Sequence, residues 1–262
     1  MARATAGATQ VRDVLRTGLR DVARLVLPVQ CPGCGALDVP LCAACRVVLL
    51  GPARRCEADV PRLDRMDAHP ALPVWTAAAY TGSTRGVVVA WKDRGRVDLT
   101  PVLVGAVRCL AREVAPVLAA AVGTDELHVV PVPSTPGARR RRGADLVALL
   151  AAGVVAGLVD AAVPAARAPV LARRRGVRDQ VGLGARARGA NAAGSLRPRG
   201  SGARPGCWYL LVDDVVTTGS TLAGCEAAVS ASGGLVLGAL VLAATPPPPR
   251  RAGRLLVDGG ED

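Results

Sequence analysis

The chain has 262 residues, half of them hydrophobic, with a formal net charge of +12. Its length suits one large domain or two unequal ones, and its apolar content is ample for a core. The longest apolar run, Leu146 to Val159, is well short of the roughly 20 residues that span a bilayer, which excludes a membrane helix there.

Five aromatic residues and no Phe leave the core to Ala, Val and Leu. The basic residues are almost all arginine; Lys92 is the one lysine. Residues 139–200 hold thirteen Arg against Asp145, Asp160 and Asp179. That segment is suited to anions, whether phosphates on a small molecule or on nucleic acid, because the planar guanidinium grips phosphate in pairs of hydrogen bonds. A solvated basic face is the plainer alternative. The first thirty residues carry Arg and Asp throughout and lack a continuous apolar stretch, so no secretory signal is expected and a cytoplasmic location is.

Residues 11–27 predict an amphipathic helix, with Val11, Val14, Leu15, Leu19, Val22, Leu25 and Val26 at helical spacing. Next come Cys31-Pro-Gly-Cys34 and Cys42-Ala-Ala-Cys45. Two such pairs supply four thiolates, the ligand set of a structural zinc. A disulfide or redox site is the alternative, which a reducing compartment disfavours. Four thiolates leave no open coordination position, so a zinc here would be structural. Cys56 lies close by without such a partner, and Cys109, Cys207 and Cys225 sit in apolar segments and are expected to be small core residues. Residues 51–73 are rich in Pro and charge and resemble a linker.

Beyond it the pattern becomes α/β. A strand is expected at Val74–Tyr80, helices at Thr84–Asp93 and Leu99–Ala121, and a compact strand at Leu127–Val132. A loop carrying Arg139–Arg142 should follow, then a buried helix from Asp145 to Val159. A short strand is expected at Pro169–Ala172, and a mobile Arg- and Gly-rich stretch at Arg173–Gly189. Trp208–Val212 reads as an apolar strand, Thr221–Ser232 as a helix and Leu235–Ala243 as another buried strand. Alternating strands and helices imply a mainly parallel sheet flanked by helices, with ligands at the carboxyl ends of the strands. The expected organisation is an N-terminal helix and cysteine knuckle over 1–60, a main domain over 74–245, and a loose tail over 246–262.

The most informative segment is Tyr209-Leu-Leu-Val-Asp213-Asp214-Val-Val-Thr217-Thr218-Gly219-Ser220-Thr221. An apolar strand meets two acids, then a Gly- and hydroxyl-rich run opens a helix. Gly219 lets the backbone approach an anion. Successive amides at a helix start bind phosphate, and the hydroxyls of Thr217, Thr218, Ser220 and Thr221 add donors. The carboxylates of Asp213 and Asp214 suit a ribose hydroxyl pair or a hydrated magnesium ion. The GK[ST] of a P-loop and the GxGxxG of a dinucleotide site are both missing. A capping Thr/Ser turn is the bland reading.

This motif resembles the phosphoribosyl-pyrophosphate (PRPP) loop of type I phosphoribosyltransferases. On that resemblance Asp213 and Asp214 contact the ribose hydroxyls, and Thr217, Thr218, Gly219, Ser220 and Thr221 cradle the 5-phosphate. Further segments resemble the ComF family of competence-associated, phosphoribosyltransferase-like proteins. These are the knuckle after Leu25-Val-Leu-Pro-Val-Gln, Tyr80-Thr-Gly82 with Trp91-Lys92, Val130-Pro-Val-Pro133 with Arg142-Gly143, and Gln180, Leu183, Arg188 and Asn191. They run in the family's order from about Leu25 to Ala244. Where relatives often have Phe-Asn-Gln after Arg142-Gly143, this chain has Ala144-Asp145-Leu146.

The resemblance implies a type I phosphoribosyltransferase-like α/β domain with a small zinc segment. It also implies magnesium-dependent pentosyl transfer from PRPP to an acceptor the sequence does not disclose, with a link to DNA uptake. Lys92, Arg142, Gln180 and Arg188 are the candidates for the pyrophosphate side or a lid. A non-catalytic PRPP or nucleotide sensor is one alternative. A single-stranded DNA-binding competence factor working with other competence proteins is another, although scarce aromatics disfavour base stacking. His69 falls in the linker, and His128, at a strand start, is expected to be structural.

Overall fold

The computed structural model describes residues 29–61, 63, 71–173 and 196–247. The expected helix at 11–27, His69, the stretch 174–195 and the tail beyond 247 lie outside the described residues. Eight strands are defined: β1 (Arg54–Arg55), β2 (Val74–Ala79), β3 (Leu127–Pro131), β4 (Ala165–Arg167), β5 (Leu171–Arg173), β6 (Leu196–Pro198), β7 (Trp208–Val216) and β8 (Leu235–Ala244). The α-helices are α1 (Ala43–Leu49), α2 (Gly82–Asp93), α3 (Thr100–Val122), α4 (Pro136–Arg142), α5 (Leu146–Asp160) and α6 (Ser220–Ser230).

Six strands form one sheet in the order β1-β2-β8-β7-β3-β4. Every pairing in it is parallel except β1 with β2. β5 and β6 make a separate antiparallel pair. The chain is thus mixed α/β, with a mainly parallel sheet flanked by helices, as the alternation of elements implied.

Period-two burial explains the layers. In β7, Leu210 and Val212 enter one core with α3 and α5, whereas Tyr209 and Leu211 enter the other with α6. β3 and β8 divide likewise: Val129 and Leu240 go to the first core, Val130 and Val241 to the second. On the first face α3 lays down Leu103, Ala106, Val107, Leu110, Val114 and Leu118 at spacings of three and four. α5 lies close against it, since a Cβ on Gly157 would come within 2.3 Å of the Arg108 carbonyl oxygen. Among the described residues no single helix is long and apolar enough to cross a membrane; α4 and α5 pass jointly on length and composition but meet at 85°.

Several expectations need correction. Residues 51–61 are not a linker. β1 pairs with β2, and Cys56 and Val60, with Leu63 and Leu72 beyond them, are buried in the second core. The Pro- and charge-rich composition conceals these four apolar anchors, which are enough to seat the segment. The Arg139–Arg142 stretch is helical: Thr135 caps α4 by accepting from the Ala138 N–H at 3.2 Å, and Pro136 occupies its first turn. Cys109 is exposed on α3 and Cys207 is half-buried, whereas Cys225 is a core residue as expected and Cys56, whose place the sequence left open, is buried too.

Candidate functional site

The topology fixes where a ligand can enter. From β3 the chain passes through α5 on one face to β4, moving towards one sheet edge. From β7 it passes through α6 on the other face to β8, moving the opposite way. The loops leaving the carboxyl ends of β3 and β7 therefore diverge and open a crevice between them, the switch point at which open parallel sheets bind ligands.

The acidic pair stands in this crevice. Asp213 and Asp214 lie within β7, which continues to Val216 and does not end at Val212 as expected. Val215 packs against the first core and Val216 enters the second, which holds the strand extended past the acids. Asp214 is 6% exposed. Lys92, at the last turn of α2, meets it with Nζ at 2.9 Å from both Oδ1 and Oδ2. Asp213 is half-buried, and its Oδ1 accepts from the Asp214 N–H at 2.8 Å. Burial, then the neighbouring Asp214 carboxylate, push the Asp213 carboxyl up to about 8, against the lowering pull of the Asp214 N–H, Lys92 and Arg173. One lysine thus faces two acids: it pairs with Asp214, and Asp213 is left with a raised affinity for its proton.

After β7, Thr217 and Thr218 are exposed, Gly219 is buried, and Ser220 and Thr221 are half-buried. Gly219 is the N-cap of α6, left-handed at φ 78°, and contributes no side-chain cap. The first-turn amides of α6 thus point towards the crevice mouth without a capping oxygen from that residue. Thr218 Oγ1 and Ser220 Oγ are 3.1 Å apart. Glycine is required here twice over. Its φ is that of the left-handed region, and a Cβ would lie 2.5 Å from Val60 Cγ1 and 2.8 Å from Leu63 Cγ. The segment read as a linker is therefore the floor beneath the loop, a role that local composition did not signal.

On the β3 side, Pro133, Ser134 and Thr135 lead into α4. Ser134 Oγ lies 3.4 Å from Asp145 Oδ1, and Asp145 caps α5 through the Ala148 N–H at 3.3 Å. Arg142 does not reach freely into the crevice. Its Nε donates to the Lys92 carbonyl oxygen at 2.7 Å, and its Nη2 lies 3.3 Å from Asp93 Oδ1. It closes the C-terminus of α2 beside Lys92. Arg173 at the end of β5 donates Nε to the Pro133 carbonyl oxygen at 2.8 Å. Gln180 and Arg188 lie outside the described residues. His128 is buried, its ring tilted 39° against Tyr209 with centroids 5.3 Å apart and its Nε2 3.2 Å from Arg204 Nη2.

The second cluster is the knuckle. One ligand atom from each of Cys31, Cys34, Cys42 and Cys45 lies within 4.8 Å of the others. Burial acts to raise the Cys31 thiol, but N–H groups of Cys42, Cys34 and Gly33 outweigh it and bring it down to about 6. Burial and the neighbouring sulfurs push Cys45 up to about 12. Four adjacent thiolates cannot coexist without a cation, so the donor set fits a structural metal such as zinc. Gly33 makes room: a Cβ there would sit 2.6 Å from Cys45 Sγ.

No protein-family model matches the chain, and no curated protein matches it. Among solved structures it is similar to the adenine phosphoribosyltransferase of Thermoanaerobacter pseudethanolicus. The identity is 13%, the match covers 71% of this chain and 86% of that one, and the TM-score is 0.30. A likeness of this degree assigns no residue, and the strand order and crevice stand without it.

The structure brings Asp213, Asp214, Thr217, Thr218, Gly219, Ser220, Thr221 and Lys92 to one end of β7, and holds the four cysteines in a separate cluster. The pairing of Lys92 with Asp214, 122 residues apart, had no signal beyond the rarity of lysine in this chain.

Proposed function

We propose that the crevice binds PRPP and that the protein is a type I phosphoribosyltransferase-like protein of the ComF kind, built from a zinc knuckle and a domain over 74–245. The observation that carries the reading is the juxtaposition at β7. An acidic pair ends beside a glycine-opened helix start, at the point where the loops of a parallel sheet diverge. A phosphate fits the first-turn amides of α6 and the hydroxyls of Thr217, Thr218, Ser220 and Thr221. The ribose hydroxyls fit Asp213 and Asp214, two strand residues before the loop.

Phosphoribosyl transfer breaks the bond from the anomeric carbon to pyrophosphate and forms one to the acceptor, through a transition state with oxocarbenium character. The residues act by holding and screening. The α6 amides fix the 5-phosphate, the acids orient the ribose, and Lys92, held by Arg142 through its carbonyl oxygen, places positive charge on the side of the departing pyrophosphate. A magnesium ion bound with PRPP would supply further neutralisation of the leaving group. The thiolate cluster suits a reducing compartment, in keeping with a cytoplasmic protein. The order of motifs from Leu25 to Ala244 supports the competence link.

The test is calorimetric titration of PRPP with magnesium into the zinc-loaded protein, beside the Asp213→Ala/Asp214→Ala variant. Binding to the wild type alone supports the cradle and opens an acceptor screen that follows pyrophosphate release. A folded wild type that ignores PRPP refutes the reading. Salt-sensitive single-stranded DNA binding that survives the double substitution would then favour the Arg-rich surface as the working part.

A further inference from the structure

The knuckle lies against α2, the helix that delivers Lys92 to Asp214. Gly86 on α2 packs so tightly that a Cβ would come 2.2 Å from the Pro32 carbonyl oxygen, between Cys31 and Cys34. On the other side of the contact, a Cβ on Gly33 would come 3.0 Å from Ser83 Cβ. Arg96, three residues after α2, ties the two together. Its Nη1 donates to the Gln30 carbonyl oxygen at 3.2 Å and its Nη2 to that of Pro40 at 2.9 Å, one before each cysteine pair. Asp98 holds the guanidinium flat with bonds of 2.8 Å to Nε and Nη2, and the Arg96 N–H returns to the Ala90 carbonyl oxygen at 3.2 Å. The fork is thus set by a carboxylate on its own loop and spends its remaining donors on the knuckle.

We propose that the cysteine knuckle is a positioning device for Lys92, with Arg96 as the strap that transmits its position through α2. The device explains why a closed cluster with no open ligand position sits beside a ligand crevice. Lys92 leaves the final turn of α2, where small rotations of the helix are largest at the ammonium tip. With two carboxylates and one lysine at the crevice, displacement of Lys92 leaves Asp214, 6% exposed, without its countercharge. Arg96 is a positioning residue only, since it bonds neither Asp213 nor Asp214. The consequence for PRPP rests on the reading above, whereas the position of Lys92 is measurable without any ligand.

Lys92 is the only lysine in the chain, so amine acetylation followed by peptide mapping reads this one side chain, with the α-amine resolved separately. The metal-loaded wild type is compared with Arg96→Gln and Gly86→Ala, and with the wild type after chelation. Arg108→Gln is the control, because it breaks another arginine–carboxylate clamp, to Asp160 at 2.7 Å, away from α2. The expected result is several-fold faster Lys92 acetylation in Arg96→Gln, Gly86→Ala and chelated protein, with unchanged far-ultraviolet circular dichroism, and a wild-type rate in Arg108→Gln. Unchanged labelling in Arg96→Gln and Gly86→Ala would overturn the proposal. So would equal acceleration in Arg108→Gln, or wholesale unfolding on chelation and in both Arg96→Gln and Gly86→Ala, which would make the knuckle a support of the entire core. A failure of PRPP to bind while Lys92 responds as expected would refute the ligand reading and leave the positioning role standing.

Discussion

Replacing Asp213 with Asn should stabilise the ligand-free protein while weakening the site. In the folded chain burial and the Asp214 carboxylate push Asp213 up to about 8, far above an unfolded aspartate. The sign follows from proton counting. Below the unfolded value both states are protonated and the site costs nothing. As pH rises beyond it the unfolded state ionises while the folded state keeps its proton, so stability falls with pH up to the folded value and then levels. At pH 7 the span above an unfolded value of ~3.9 is about three pH units, which at 1.36 kcal/mol each sets a ceiling of ~4 kcal/mol. Water entering the open crevice lowers that, so a gain of about 1–3 kcal/mol is expected for Asp213→Asn at pH 7. The amide oxygen still accepts from the Asp214 N–H, so the substitution removes the charge alone. Urea unfolding at pH 4.5 and pH 7 is the assay. The gain should be present at pH 7 and shrink to about a quarter of that at pH 4.5. A destabilised variant at pH 7, or an equal gain at both values, would refute the assignment of a strained, protonated Asp213.

Other perturbations follow from the same geometry. Gly219→Ala should lose about 1–2 kcal/mol to the left-handed backbone and a similar amount to overlap with Val60 and Leu63, about 2–4 kcal/mol together in urea unfolding. Asp214→Ala should destabilise by about 1–3 kcal/mol at neutral pH, because it strands Lys92 beside the buried end of β7; replacing Lys92 by Met in the same chain should recover part of that loss. Cys45→Ser should release metal to a chromogenic chelator far faster than wild type, with the sheet's circular dichroism kept; a wild-type release rate would remove Cys45 from the ligand set.

Much of the architecture was legible because apolar runs were long or sharply bounded. The strand from Trp208 to Val212 and the helix from Leu146 bury on all sides or most of them, and period alone locates them. What escaped detection depended on distant partners. β4, Ala165–Arg167, has no strand-forming composition and exists because β3 offers it an edge. The stretch with Arg139–Arg142 looked like a loop because four charges mask the cap–proline signal of Thr135-Pro136, a signal that could have found α4. The floor formed by Val60 and Leu63 could not be seen, since it is defined by a loop more than 150 residues away. At the site, residue types gave the acids and the glycine loop. Their pairing came only from geometry, because it depends on which acid Lys92 meets.

That pairing explains how the crevice tolerates its own function. Two adjacent carboxylates in a half-closed site would repel each other and α6's neighbours, yet β7 carries them without breaking. Lys92 pairs with Asp214, burial raises the proton affinity of Asp213, and Val215 and Val216 lock the strand beyond them into both cores. The same arrangement leaves the α6 amides free of any cap from Gly219. A ligand that brings a phosphate to those amides and hydroxyls to those acids thus meets donors and acceptors already fixed. The cost of holding them apart from water has been met in folding by the cores on either side. In this arrangement the residue with most leverage is Lys92. Withdrawing it leaves Asp214 buried without its countercharge beside Asp213, whereas withdrawing Asp213 leaves the Lys92–Asp214 pair intact.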